Sequence, residues 1–413
     1  MTTVRLRHLA QVNPLTPAFD RLSDEDELTF LPMEAVWPGS RLDITRRRAK
    51  ASVATGYTRF QDGDVLVPKI TPTFEAGRAV LIGGLLGGVG TGTTELHVVR
   101  PGPQIDPRFL LYVVNTHSFL KLGEAEMYGV AGQQRVPDAF LRNLPVELPP
   151  LEEQRRITAF LDTETARMDN LAGLGERQIN LLRERSEAMV IQFFGPGDGR
   201  REYRFRHLME SNPCYGVLVP KFADVGVPLI RVSDLGRLDH DLERLPKIEE
   251  EQAQEYRRTC VRPGDLLITV VGATIGRCDV APPEIAGFNV SRALARVQLA
   301  AGISPQMIAS WVRGRDFRIQ AELATSGAAA QPALNMSDIT HFTLWLPETH
   351  SGRLDLARRV STHEDETRRL LSAIERKQTL IAERRQALIT AAVTGEFDVS
   401  TASGRNVTDG VTA

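Results

Sequence analysis

LPPLEEQRRITAFLDTETARMDNLAGLGERQINLLRERSEAMVIQFF, Leu148 to Phe194, is the stretch whose reading decides the fold. Pro149-Pro150 closes what comes before and stands where a missing N–H does little harm, at the start of a helix. Leu161, Met168, Gly175, Leu182 and Met189 then fall seven apart, with Ile157, Leu171, Ile179 and Phe193 filling neighbouring places on the same stripe. A second version runs from Leu346 to Val393, where Pro347 leads into Val360, Thr367, Ile374, Ile381 and Leu388, again seven apart. A sustained seven-residue apolar repeat makes a seam that a partner helix must cover. Arg, Glu, Asp and Gln crowd the other positions, as a solvated face requires. Two such helices in one chain predict an intramolecular antiparallel pair, with Leu161, Met168, Leu182, Met189, Val360, Ile374, Ile381 and Leu388 as the pairing residues. A helix of about 40 residues is roughly 60 Å long, which suits a spacer. Gly173 and Gly175 each cost about 1 kcal/mol against Ala inside a helix, so the first helix is expected to need its partner. The plainer reading is a generic helical linker in each half.

Working outward, the chain repeats itself. Leu6-Arg7-His8-Leu9 and Asn13-Pro14 return as Phe205-Arg206-His207-Leu208 and Asn212-Pro213. Gly63-Asp64-Val65-Leu66 returns as Gly264-Asp265-Leu266-Leu267; Gln133, Val136 and Leu148-Pro149 return as Gln331, Leu334 and Leu346-Pro347. Glu176-Arg177 and Glu184-Arg185 return as Glu375-Arg376 and Glu383-Arg384. The spacing stays between 198 and 201 residues throughout, far above the period of a solenoid. The expected fold class is therefore α/β (mixed α+β), with two similar globular domains separated by a pair of long antiparallel coiled-coil helices and related by a pseudo-twofold axis. The divisions are 1–150 and 196–348 for the domains, 151–195 and 349–398 for the helices, and 399–413 for a disordered Ser/Thr/Gly-rich tail. Short apolar runs predict strands at Asp64–Pro68, Ala79–Ile82 and Glu95–Val99, and again at Leu229–Val232, Asp265–Val271 and Ala293–Gln298. Arg108–Thr116 and Pro305–Gly314 read as matching short helices.

With 413 residues the chain exceeds one typical domain. No secretory leader or bilayer-length apolar run is legible, and Cys214, Cys260 and Cys278 are sparse and without metal spacing. The expectation is a cytoplasmic protein with no membrane association. A net charge of −2 means that the whole chain is not a basic nucleic-acid binder, although a cationic footprint can be local or shared with partners.

Gly83–Gly92 is glycine-rich, but a strand-like Thr93–Val99 follows it instead of the helix N-terminus that a phosphate loop needs, so it reads as a mobile loop. Asn212-Pro213-Cys214-Tyr215 resembles an adenine-methyltransferase tetrad with Cys in third place; a turn at the domain entrance fits better. The eight His residues lack metal spacing, and Asp64 and Asp265 follow glycine as turn residues do. No catalytic residues, no metal site and no cofactor of its own are expected.

What remains is charge. Arg46-Arg47-Arg48-Ala49-Lys50 is a sharp cationic cluster, and Lys69, Arg78 and Arg135 add to it, with Gln133-Gln134 alongside. The second block offers Arg231, Lys247, Arg257, Arg258, Arg277 and Arg292, with Ser233, Thr274, Asn289 and Asn335. Arg and Lys neutralise phosphates, while Arg, Asn and Gln can contact base edges. Such a cluster is also what an ordinary solvated face looks like.

GQQRVPDAFLRNLPVELPPLEEQRRITAFLD, Gly132 to Asp162, closely resembles the exit of a target recognition domain into the central helix of the specificity (S) subunits of type I restriction–modification systems. QPALNMSDITHFTLWLP, Gln331 to Pro347, is similar to the exit of the second such domain, and RRQALITAAVTGEFDV, Arg384 to Val399, to the family's C-terminal end. GDVLVPKITPTFEAGRAV, Gly63 to Val80, with TGTTELHVVRP, Thr91 to Pro101, resembles one class of recognition domain. The resemblance covers essentially the whole chain, with one departure: Pro347-Glu348-Thr349-His350-Ser351-Gly352 replaces the PPLEEQ hinge. It implies a non-catalytic reader of double-stranded DNA that serves phage defence. Each domain would bind half of a split target, and the helices would fix the gap and dock two methyltransferase (M) subunits. Those subunits would use S-adenosylmethionine on a flipped adenine, and motor–nuclease (R) subunits would add ATP- and Mg-dependent cleavage. Two other classes compete with this: a stand-alone methyltransferase using Asn212–Tyr215, which would bind S-adenosylmethionine by itself, and a coiled-coil scaffold that protects no DNA.

Overall fold

The computed structural model describes residues 2–36, 42–130, 132–238, 242–326 and 332–399. The chain forms two compact units: Met1–Glu176 with Glu375–Ala413, and Arg177–Ile374. Two long helices, Leu151–Phe194 of 44 residues and His350–Thr394 of 45, each contribute to both units. The sequence divides the chain at the ends of these helices; the packing places each division within them.

The first unit has three sheets and three hydrophobic clusters, the largest of which takes in the long helices. Thr2–Arg5 pairs antiparallel with Pro145–Leu148, which fastens the start of the unit to the entrance of the central helix. A four-stranded antiparallel sheet runs Ala10–Val12, Leu96–Pro101, Val65–Pro68, Val80–Leu81. The Val-Leu-Val-Pro strand is buried on both faces, which explains its unbroken apolar run. A second sheet runs Arg47–Ala49, Glu27–Leu31, Val89–Gly92, Thr58–Gln61, with Glu27–Leu31 parallel to Val89–Gly92.

That last pairing corrects the reading of Gly83–Gly92 as a mobile loop. Its second half is a fully buried interior strand. Glycine is required there for want of room: a Cβ on Gly90 would lie 2.5 Å from the Phe60 ring, and one on Gly92 2.3 Å from the Leu31 carbonyl oxygen.

The core of this unit takes in both helices. Ile157, Leu161 and Met168 of the central helix meet Leu388, Ile389, Ala392 and Val393 of the C-terminal one, beside Phe109, Leu110 and Val114. The pairing is antiparallel: Gln378 Nε2 donates to the Ala172 carbonyl at 2.7 Å, Arg385 faces Asp169 at 3.6 Å, and the Phe160 and Phe397 rings lie 5.7 Å apart. Gly175 is buried because Gln378 occupies the space a Cβ would need.

The second unit repeats the plan. Arg200–Arg204 pairs with Thr343–Pro347. One four-stranded sheet runs Cys214–Tyr215, Leu294–Val297, Leu266–Thr269, Cys278–Val280. The other runs Phe222–Ala223, Lys247–Ile248, Val227–Ile230, Asn289–Val290, and its last pair is again parallel. Phe193 and Phe194 pack with Leu356, Val360 and Trp311. His363 lies 3.2 Å from Ser186, and Arg359 sits over the Phe193 ring, so these helix segments also run antiparallel.

Along the seam, Leu161, Met168, Gly175, Val360 and Leu388 are buried, whereas Leu182, Met189, Thr367, Ile374 and Ile381 are half-buried. Leu171 departs from the expected stripe and is 39% exposed; at its level the facing side chain is polar Gln378. Gln331 and Ser400–Ala413, where the sequence predicts a repeat match and a disordered tail, lie outside the described residues.

Candidate nucleic-acid interface

A buried ion pair anchors each unit where the two four-stranded sheets meet. In the first, the Arg100 guanidinium forks onto Asp64, Nε to Oδ1 at 2.7 Å and Nη2 to Oδ2 at 2.9 Å, and the Gln61 N–H donates to the same carboxylate. In the second, Arg296 Nε donates to Asp265 and the Arg262 N–H completes the turn. The aspartates occupy the same place, but the arginines do not. Val99 faces Val65 and Val297 faces Leu266, so Arg296 stands where the first unit has Val98, two residues earlier on the same strand face. Asp64 and Asp265 are therefore more than turn residues. Sequence reasoning missed the pair because its cationic half changes register by one strand period.

Above this frame, many of the cations that the sequence marks are already engaged. Arg46 pairs with Glu34 at 2.8 Å, Arg47 donates to Thr29, and Arg48 lies over Phe30. Lys50 turns in toward the Leu22 carbonyl and Asp24. The cluster lies on the edge strand Arg47–Ala49, which keeps Arg46, Arg47 and Arg48 exposed while Lys50 is half-buried.

Lys69 and Arg135 come together on the other sheet, around Glu95. Arg135 forks onto Glu95, with Nη2 to Oε1 at 2.7 Å, and Lys69 donates to the Thr94 carbonyl at 2.9 Å. Burial holds the Lys69 amine below its usual range while Glu95 opposes that shift. Gln134 and Thr71 bond each other in both directions, and Gln133 is exposed. Arg78 is half-buried. Beneath them, His97 is buried; its Nε2 lies 2.9 Å from the Val136 carbonyl, its Nδ1 3.2 Å from Asn13 Nδ2, and burial lowers its pKa to about 4. The ring is thus neutral, donating from Nε2 and accepting at Nδ1.

In the second unit, Arg231 and Ser233 both contact Asp234, and Arg277 reaches the Leu235 carbonyl, so Arg231, Ser233, Thr274 and Arg277 gather at one rim. Arg292 is exposed on a separate turn whose N–H donates to Val217. Asn335 is exposed and begins the helix Met336–His341, its N–H donating to Asp338. Asn289 is corrected. It is 1% exposed and its amide donates to Tyr256 and Thr259, so it fastens the interior and presents nothing to a duplex. Tyr215 is half-buried, and its hydroxyl donates to the Leu334 carbonyl at 2.8 Å, an internal use for the methyltransferase-like tetrad. Among the described residues no cluster of His, Cys, Asp and Glu could hold a metal, and no helix is long and apolar enough to cross a membrane.

Comparison with known proteins gives this frame its relatives. Residues 77–176 match the family described as Type I restriction modification DNA specificity domain. Over 153 residues the chain is 42% identical to the Type I restriction enzyme EcoAI specificity subunit of Escherichia coli, across 36% of this chain and 26% of that one. It is 28% identical over 248 residues to the EcoBI specificity subunit of the same organism, across 53% and 51%. The chain thus spans about a quarter to a half of the length of these relatives. Its fold matches a chain from a type I R-M system studied for complex assembly and conformational transition, with TM-score 0.74, 19% identity and coverage of 96% and 98%. It also matches an HsdS subunit from Thermoanaerobacter tengcongensis, with TM-score 0.54, 19% identity and coverage of 96% and 97%.

Proposed function

We propose that this chain, which carries the DNA specificity domain of type I restriction–modification systems at residues 77–176, is the sequence-reading subunit of such a system. The observation that carries the reading is the match of that domain to a segment of the first unit, in a chain whose second unit has a similar sheet plan. Each unit reads one half of a bipartite duplex target, and the paired helices set the unread gap and dock two methyltransferase subunits. Catalysis belongs to those partners, with S-adenosylmethionine for adenine N6 methylation, and to motor–nuclease subunits using ATP and Mg. The complex works in the cytoplasm, in phage defence. A net charge of −2 fits a reader whose partners share the phosphate contacts.

Methylome sequencing of the source cells with and without the intact chain tests this. The expected result is loss of adenine methylation at one split motif; an unchanged methylome overturns the reading. A heptad inserted beside Gly173 is expected to lengthen the gap and leave both half-sites intact.

A further inference from the structure

The second unit contains an open cleft of about 640 Å³ bordered by Asn212, Arg257, Arg258, Arg262, Arg296 and Gln298. Arg257, Arg258 and Arg262 are exposed, and among the described residues no carboxylate pairs with any of them. The two carboxylates that touch the lining are spoken for. Asp265 is buried beneath Arg296, and Glu210 accepts from Gln298. Four other cations marked in the sequence, Arg46, Lys50, Arg135 and Arg231, each have an acidic partner instead. The three arginines are held on a firm mount. The Arg258 carbonyl accepts from Arg296 and from Cys214, the Arg257 carbonyl from the Cys260 N–H, and the Arg262 N–H is fixed by Asp265. Counted back from the shared Gly–Asp turn, the first unit has Gly56, Tyr57 and Gln61 where the second has Arg257, Arg258 and Arg262.

We propose that this cleft of the second unit grips the phosphodiester backbone of the DNA, a contact that the first unit lacks. The assignment rests on the reading of the chain as a DNA reader. Guanidinium groups match phosphate oxygens in geometry, and three arginines at one opening with no carboxylate partner among the described residues give a local positive field within a net-acidic chain.

The test uses the full chain in its native assembly, isolated through a tag, and a non-target duplex titrated over a salt series. Replacing all three residues, R257Q/R258Q/R262Q, is expected to weaken binding and to reduce the slope of log K against log salt by about 2 to 3, since each phosphate contact contributes about 0.9. The Lys triple variant, R257K/R258K/R262K, is expected to keep the slope. An unchanged slope in the Gln variant overturns the inference, while the methylome assay stands or falls separately. If the triple variant misfolds, R257Q and R262Q alone are each expected to reduce the slope by about 0.9. Calorimetry with inorganic phosphate separates the other source of the same chemistry. A saturable phosphate signal abolished by the triple variant, together with an unchanged DNA slope, would make the cleft a small-anion site and also overturn the proposal.

Discussion

The two units share a sheet framework and differ most at their edges, and the difference separates what the fold demands from what it leaves free. Both have the strand-to-strand clasp at the helix entrance, the parallel pair and the buried Asp–Arg bond. The first adds Thr58–Gln61 as an edge strand on Val89–Gly92; the second adds Phe222–Ala223 on the opposite edge, against Lys247–Ile248. The first buries a neutral histidine beneath its cations, where the second has Ala295 at the matching register. The second opens an arginine-lined cleft at a place where the first has Gly, Tyr and Gln. The edge strands and the cleft differ at the surface, whereas the His97–Ala295 difference lies in the interior.

The comparison can be broken most decisively by exchange. Replacing residues 1–150 with another recognition domain is expected to change one half of the methylated motif completely and leave the other untouched; a change in both halves would end the modular account. Next comes the buried ion pair. Asp265→Asn takes the only carboxylate partner among the described residues from Arg296, whose side chain is 9% exposed, and is expected to lower the stability of the second unit by about 3 kcal/mol. Asp64→Asn is expected to cost the first unit less, because Arg100 is 20% exposed and its charge is better solvated. Amide exchange in Val65–Pro68 and Leu266–Thr269 reads the two units separately.

The histidine gives an effect of similar or smaller size. With a folded pKa of about 4 against about 6.5 unfolded, the unfolded chain binds more protons between those values. Stability of the first unit is therefore expected to be fully present above about pH 6.5 and to fall by up to about 3 kcal/mol as the pH drops toward 4. His97→Gln should flatten that dependence in amide exchange, and exchange in the second unit should show no difference. The smallest effect contrasts two neighbouring glycines. Gly173→Ala, with nothing within 4 Å, is expected to stabilise by about 0.5 to 1 kcal/mol. Gly175→Ala is expected to gain less or to lose, because its methyl would sit 2.2 Å from Gln378 Nε2 and displace the bond to Ala172. Denaturant melts of the two variants decide this.

Much of the frame was legible in the sequence because it obeys periods. Seven-residue spacing marked Leu161, Met168, Val360 and Leu388, and apolar runs marked Val65–Pro68, Leu266–Thr269 and their closing strands. Glu27–Leu31 and Thr58–Gln61 escaped because they mix polar residues with apolar ones, and Val89–Gly92 because its glycines answer to Phe60 and Leu31, which are remote in sequence. The site was less legible. Clustering in sequence singled out Arg46–Lys50, but whether a cation is free depends on a partner such as Glu34, twelve residues away and invisible to composition. Arg262, four residues after Arg258, was passed over although the three arginines fall within six residues; the fold sets all of them on one cleft.

One feature of the first unit bears on how the protein is made. Leu388, Ile389, Ala392 and Val393 complete its core, Gln386 bonds the Asn115 carbonyl, and Thr390 accepts from the His117 N–H. The earlier-made segment of this unit thus waits for a segment made about 200 residues later. At about 5 to 20 residues per second, the intervening 200 or so residues take roughly 10 to 40 s. Through that interval the newborn first unit has an open apolar wall, and a message cut short before codon 375 leaves it permanently unsealed while the second unit has all of its own sequence.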